Sequence, residues 1–80
     1  MKLGLYSIYD TIAEVFNKPY TAHNDADAKR AFEQSFKSGE KANKDDYVMY
    51  KVATWNDATG DVEPILPEKM LSGFDIKKVA

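Results

Sequence analysis

Hydrophobic and polar positions first alternate with the period of a β-strand over residues 3–10. Leu3, Leu5 and Tyr9 fall on one face of this predicted strand, and Tyr6 and Ile8 fall on the other. Because both faces are apolar or aromatic, we expect the strand to lie at the centre of a sheet or to be covered on both sides. Gly4 within it is typical of a position where another group comes close to the backbone.

A second strand is predicted within residues 14–22, where Val15, Phe16, Tyr20 and Thr21 have strand preference. Pro19 cannot donate a ladder hydrogen bond, which predicts an edge strand or a strand with a bulge. The link between the two strands, residues 11–13, is too short for a parallel crossover. The sequence therefore predicts an antiparallel hairpin.

A helix is predicted to follow. Asn24 is a good N-cap residue, and Asp25 and Asp27 lie in the first turn, where negative charge meets the positive end of the helix. A stripe at helical spacing follows, formed by Ala28, Ala31, Phe32, Ser35 and Phe36. The helix is expected to end at Ser38-Gly39, with a charged loop over residues 40–45.

The next strand is predicted over residues 47–55. One face carries Tyr47, Met49, Ala53 and Trp55, with Lys51 as an interruption, and the other carries Val48, Tyr50, Val52 and Thr54. Residues 56–60 are typical of a type I turn closed by a glycine with positive φ. A returning edge strand over residues 61–66 is shortened by Pro64.

The last part of the chain predicts one helical turn over residues 67–71, ended by Gly73. We expect Phe74 and Ile76 to anchor the tail to the core. The whole pattern predicts a single α+β domain over residues 1–80. The elements follow in the order strand, strand, helix, strand, strand. The four strands form a mostly antiparallel sheet, and the helix packs on one face of it. The other face is then open or covered by the tail, and an open aromatic face invites a partner.

Composition narrows the function. The 80 residues hold no cysteine, which excludes disulfides, cysteine-ligated zinc, iron–sulfur clusters and thiol catalysis. His23, the single histidine, cannot form a zinc site alone and is interpreted as a loop residue. The acid pairs Asp25/Asp27 and Asp45/Asp46 lie in polar stretches and are interpreted as solvated charges. We therefore expect no enzyme, no metal site and no cofactor.

The net charge of −2 argues against a polybasic DNA-wrapping protein. The chain has no apolar run long enough to span a bilayer and no targeting signal, so the cytoplasm of the producing cell is the expected compartment.

Aromatic residues on the predicted strands are interleaved with basic ones, an arrangement that single-strand binders use to stack bases. The predicted phosphate contacts are Lys2, Lys18, Arg30 and Lys51, and the predicted stacking residues are Tyr6, Tyr50 and Trp55. The competing interpretation is that the rings fill the core, which the size of the chain favours.

Five segments in this order resemble the small non-structural protein of the gokushoviruses, tailless microviruses with single-stranded DNA genomes. The segments are residues 5–10, 16–20, 24–32, 46–52 and 57–60. The resemblance runs over nearly the whole chain. It implies a DNA-binding phage protein of the infected bacterium's cytoplasm, absent from the mature virion, that acts when replication switches to making single strands for packaging. It implies no catalytic residues.

Three functional hypotheses follow. The first is a non-enzymatic phage accessory protein that binds DNA, single-stranded rather than duplex, during genome synthesis and packaging; a homodimer would double one weak patch. The second is a protein–protein interaction module that binds a viral or host replication factor through its sheet face or an edge strand. The third is a homo-oligomeric structural element whose outer sheet face is covered by self-association.

Overall fold

The computed structural model describes residues 1–37 and 44–73, and an antiparallel sheet organises them. Its elements are β1 (Lys2–Asp10), β2 (Val15–Phe16), β3 (Tyr20–Ala22), α1 (Asp25–Lys37), a 3₁₀ turn (Lys44–Asp46), β4 (Tyr47–Asn56) and β5 (Val62–Ser72). The predicted α+β fold, with one helix and an antiparallel sheet, is confirmed.

β1 is the central strand, as its two apolar faces predict. It pairs with β4 on one side and with both β2 and β3 on the other, and β5 pairs with the far side of β4. The predicted second strand is therefore two short strands on one edge. They are separated by residues 17–19, where Pro19 lacks the N–H that an unbroken strand would use.

Asn24 caps the helix as predicted. Its side-chain Oδ1 accepts a hydrogen bond from the Asp27 N–H at 2.8 Å. Ala28 and Phe32 are fully buried and Phe36 packs beside them, whereas Ala31 is exposed, so the predicted stripe is wrong at that position. The predicted helix end at Ser38-Gly39 and most of the predicted charged loop lie outside the described residues.

The core lies between α1 and one face of the sheet. It consists of Tyr6, Ala28, Phe32 and Met49, with Ile8, Tyr20, Ala22, Phe36, Tyr47, Met70 and Leu71 packed around them. Among residues 1–37 and 44–73, no helix or strand lies over the opposite face, which we call the open face. α1 is the one α-helix of this described part, and it is neither long nor apolar enough to cross a membrane.

The turn at Asn56–Gly60 forms as predicted. The Gly60 N–H donates to the Asn56 carbonyl at 2.7 Å, and Gly60 has φ of 79°. The helical turn predicted for residues 67–71 is wrong, because β5 continues extended to Ser72 and pairs there with β4, Leu71 opposite Met49. Burial of Leu71 against the core favours the strand. Phe74 and Ile76 lie outside the described residues.

A bulge at Val52 changes the faces of β4. Leu5 pairs with Ala53 while Tyr6 pairs with Lys51, so β4 holds one extra residue at this point. Beyond the bulge, Ala53 and Trp55 share the face of Leu5 and Leu3, away from the core. The predicted grouping of Ala53 and Trp55 with Met49 is therefore wrong, because it assumed unbroken alternation.

A second irregularity redirects Phe16. Tyr6 pairs with Tyr20 and Tyr9 pairs with Phe16, so three steps along β1 correspond to four along the returning chain. In a regular strand Phe16 and Tyr20 would share a face. The extra residue places Tyr20 on the helix side and Phe16 on the open face.

Gly4 is the close-approach position that the sequence indicates. A Cβ atom there would lie 2.5 Å from Cζ and 2.6 Å from Cε1 of Tyr6, distances that real Cβ contacts do not show. The Tyr6 ring therefore occupies the space over Gly4, on the same face of β1.

We expect Gly4→Ala to lower the free energy of unfolding by about 1–3 kcal/mol, because the new methyl group displaces the Tyr6 ring. Urea denaturation followed by circular dichroism measures the change. The same substitution made in a Tyr6→Leu background is the control, and its cost is expected to be smaller since the ring is gone. Equal costs in the two backgrounds would contradict this account.

Candidate functional site

Three rings meet on the open face, and we call Tyr9, Phe16 and Tyr50 the aromatic cluster. The ring centroids of Tyr9 and Phe16 lie 4.7 Å apart, those of Phe16 and Tyr50 lie 5.5 Å apart, and those of Tyr9 and Tyr50 lie 6.4 Å apart. Both Tyr50 contacts are edge-to-face, the arrangement that ring quadrupoles favour. Phe16 remains 48% exposed, so the cluster presents aromatic surface to solvent.

Ser7 explains how rings from β2 and β4, the strands on either side of β1, meet across it. It pairs with Tyr50, and its side chain is buried although it lies on the open face. Its Oγ donates a hydrogen bond to the Asn17 carbonyl at 2.6 Å. The small side chain leaves room for the rings of Phe16 and Tyr50 to come together, and its hydrogen bond fixes the chain just after β2.

A second apolar area lies further along the open face. Trp55 pairs with Leu3 of β1 on one side and with Val62 of β5 on the other. Val62 is exposed and Trp55 is partly exposed. We call Trp55, Leu3 and Val62 the Trp55 end of the face.

Charge is distributed unequally between the two sides of the sheet. The strand register assigns to the open face Leu3, Leu5, Ser7, Tyr9, Phe16, Thr21, Val48, Tyr50, Ala53, Trp55, Val62, Pro64, Lys69 and Ser72. In the parts of the chain that the structure describes, none of these paired positions carries a carboxylate. Glu63 and Glu68 of β5 pair with Thr54 and Lys51, which face the helix side.

Two lysines accompany the aromatic cluster. Lys69 pairs with Tyr50 and so shares the open face, and Lys18 is exposed in the segment directly after β2. Neither lysine has an ion pair with any residue of the described ranges 1–37 and 44–73. Both lysines are exposed to solvent.

Tyr6 and Lys51, both predicted contacts to nucleic acid, lie on the helix side instead. The Tyr6 hydroxyl donates to Asp25 Oδ1 at 2.5 Å, and Lys51 Nζ lies 3.5 Å from the same oxygen and 5.9 Å from the centroid of the Tyr6 ring. Tyr6 is 1% exposed, so its ring is not available to stack on a base. This corrects the expectation for Tyr6, which rested on its position in an aromatic strand.

The remaining predicted residues divide between the two sides. Lys2 forms an ion pair with Glu63 at 3.3 Å, and Arg30 lies 3.8 Å from Asp27 on the helix. Tyr50 and Trp55 lie on the open face, and Lys18 is exposed in the edge segment between β2 and β3. The structure thus places Tyr50 and Trp55 on the open face, Lys18 at the edge of the sheet, and the other four predicted residues away from the open face.

Sequence reasoning missed Tyr9, Phe16 and Lys69 as members of this surface. Pro19 signalled the interruption that redirects Phe16, but not the direction of the change. Lys69 was missed because its segment was predicted to be helical, whereas it lies in β5 opposite Tyr50.

The group around Tyr6 shifts the pKa values of its members. The hydrogen bond from Tyr6, followed by the charge of Lys51, lowers the pKa of the Asp25 carboxyl although partial burial opposes it. Burial, and then the hydrogen bond to Asp25, raises the pKa of the Tyr6 hydroxyl. Burial alone raises the pKa of Tyr20 to about 12, and its hydroxyl donates to the Ala28 carbonyl at 3.0 Å. These contacts fix the first turns of the helix to the sheet.

Comparison with known proteins decides the family. The sequence profile described as Phage ORF5 protein matches residues 3–76. The chain belongs to the Phage ORF5 protein family. The phage origin implied by the resemblance is thereby confirmed. No curated protein and no solved structure was found to match the chain.

In this Phage ORF5 protein we expect Asp25→Asn to lower the free energy of unfolding at neutral pH by about 1 kcal/mol, because the charged acceptor of the Tyr6 hydroxyl is lost while exposure to solvent limits the cost. The pKa of the Asp25 carboxyl is lower in the folded chain, so its stabilisation is present above about pH 4 and is lost as the pH falls through the folded value. Urea midpoints measured across this range should therefore fall less in the variant than in the parent. Tyr6→Phe should flatten the profile in the same way, and parallel profiles for parent and variants would contradict the assignment.

Proposed function

We propose that this protein is a non-enzymatic phage accessory protein that binds single-stranded DNA through the open face of its sheet. One observation carries the proposal. An exposed aromatic cluster lies on a sheet face whose paired positions, within the described residues, include Lys69 and hold no carboxylate, and Lys18 is exposed in the adjoining edge segment.

The chemistry of the face suits single strands better than duplexes. Unpaired bases expose both of their faces, and stacking on an aromatic side chain contributes about 1–3 kcal/mol per base. Phe16 and Tyr50 offer ring surface for this contact. The two lysines provide charge for the phosphates, which position the strand without reading its sequence.

The net charge of −2 is compatible with this proposal because none of the described paired positions of the open face carries a carboxylate. Glu63 and Glu68 face the helix side, and Asp25 and Asp27 belong to the first turn of the helix. A local positive field decides association with phosphates more than the sum over the chain.

The resemblance to the gokushovirus non-structural protein supports a cellular location and a stage of infection for DNA binding. In this proposal the protein acts in the cytoplasm of the infected bacterium during single-stranded genome synthesis and packaging, and is absent from the mature virion. A homodimer would strengthen binding by presenting two open faces to one strand.

We expect a fluorescein-labelled oligothymidylate to gain anisotropy with the protein at about 50 mM salt, and a duplex of equal length to gain less. Tyr50→Ala and Phe16→Ala should each weaken binding about tenfold, the equivalent of 1.4 kcal/mol, because each removes a stacking surface. Val15→Ala is the matched control, since Val15 neighbours Phe16 in β2 but pairs with Asp10 on the helix side. Absence of binding at low salt, or equal losses in the control, would overturn the proposal.

The lysines are tested by the salt dependence of the same binding. Lys69→Gln and Lys18→Gln should each reduce the slope of log affinity against log salt by about 0.7, the value for one phosphate contact to a single strand. Arg30→Gln is the control because Arg30 lies on the helix near Asp27. A slope that changes with Arg30→Gln but not with the two lysine variants would place the phosphates on the other side of the molecule.

A second candidate function, docking of a viral or host replication protein, rests on a different surface. Leu66 is 90% exposed and lies beside Ile65 in the edge strand β5. β5 bulges at this point, because Lys51 of β4 pairs with Glu68 whereas Ala53, two residues further along β4, pairs with Pro64. An exposed apolar pair on an edge strand is suited to a protein contact. Capture of a replication protein that survives nuclease treatment and is lost in Leu66→Ser would favour this function over DNA binding.

A further inference from the structure

The open face carries aromatic surface in two separate places. The aromatic cluster occupies one place, and Trp55, which pairs with Leu3 and Val62, occupies the other. Tyr50 and Trp55 both belong to β4, and their partners on β1 are four residues apart, so at a strand rise of about 3.3 Å per residue their backbones lie about 13 Å apart. This separation is several times the spacing of about 3.4 Å between neighbouring bases in a stacked strand.

The bulge at Val52 is what puts both places on one face. Tyr50 and Trp55 are five residues apart, so in a regular strand they would point to opposite sides of the sheet. Tyr50 pairs with Ser7 and Trp55 with Leu3, and these partners are four residues apart on β1, whose own alternation is unbroken. The extra residue in β4 therefore brings Trp55 to the face of Tyr50.

We propose that the Trp55 end is a second base-stacking subsite for the single strand held at the aromatic cluster, so that a strand must span about 13 Å to occupy both. The proposal rests on the proposed function and adds to it the extent of the site. At the spacing of stacked bases, about five nucleotides cover this span. A dinucleotide occupies one subsite at a time, whereas an octanucleotide reaches both.

The two subsites differ in charge, so the salt dependence of binding differs between them. Lys18 and Lys69 lie by the aromatic cluster, whereas the basic residue next to Leu3, Lys2, is engaged with Glu63 at 3.3 Å. A short strand therefore binds at the cluster. Contacts at the Trp55 end are apolar and stacking contacts, whose contribution does not depend on counterion release.

Trp55 is the one tryptophan of the chain, so its fluorescence reports directly on this subsite. Octathymidylate is expected to quench the tryptophan emission. Dithymidylate, at concentrations where it displaces a labelled strand in competition, is expected to leave the emission unchanged. Quenching by both lengths in proportion to their occupancy would overturn the two-subsite arrangement.

Substitution gives the second measurement. Trp55→Ala should weaken octathymidylate about tenfold, the loss expected for one stacked base, and change dithymidylate less than twofold. Its slope of log affinity against log salt should equal that of the parent. Val62→Glu serves if Trp55→Ala fails to fold, because Val62 is an exposed neighbour of Trp55 and a carboxylate there would repel the strand.

The outcomes separate this inference from the function on which it rests. If neither length binds, the proposed function fails. A second outcome is that octathymidylate binds and Tyr50→Ala weakens its binding, but octathymidylate does not change the tryptophan emission and the Trp55 and Val62 variants bind it as tightly as the parent. This outcome overturns the second subsite and leaves DNA binding at the aromatic cluster in place. If the variants lose octathymidylate alone, both are supported.

Discussion

The contact of Tyr6 with Asp25 joins the first turn of the helix to the side of the sheet on which the core forms. The ring of Tyr6 lies over Gly4, where a Cβ atom on residue 4 would clash with it, and the Tyr6 hydroxyl reaches the first helical turn. Lys51 joins them from the neighbouring strand and lies near both groups. The Tyr6 ring has little freedom, because it packs on the backbone of Gly4 and its hydroxyl is bonded to the Asp25 carboxylate. The hydrogen bond therefore holds the N-terminus of the helix against the sheet. The core forms on that side, and the opposite face is left to other contacts.

Irregular strands, rather than regular ones, give the open face its character. Regular alternation would send Phe16 to the side of Tyr20 and Trp55 to the side of Met49. One extra residue in the break between β2 and β3, and one in the bulge of β4, send both rings the other way. A bulge costs ladder hydrogen bonds, and bulges are enriched where a side chain has to be re-aimed for function. That two such irregularities deliver aromatic residues to the open face is the structural basis for regarding this face as a binding surface.

The sequence predicted those features that depend on local chemistry. The cap at Asn24, the turn closed by Gly60 and the central position of β1 each follow from a residue type or a period, and each is present. The faces of β4 were mispredicted because nothing about Val52 marks a bulge; it has high strand preference and no glycine or proline beside it. Tyr6 and Lys51 were predicted to contact nucleic acid because they lie in strands where aromatic and basic residues alternate, and only the packing of the helix shows that their face of the sheet is the covered one.

A chain with a net negative charge can bind a polyanion when its carboxylates lie away from the binding surface and salt screens their repulsion. The acids of the first helical turn and of β5 lie on the helix side of the sheet. Salt at physiological strength screens charges over about 8 Å, which weakens the repulsion between these acids and phosphates bound on the open face. Both sheet edges also carry prolines, Pro19 on one and Pro64 and Pro67 on the other, which hinders pairing with another strand. With strand pairing hindered at both edges and one face occupied by the helix, the open face is the surface of the sheet best suited to a nucleic-acid ligand.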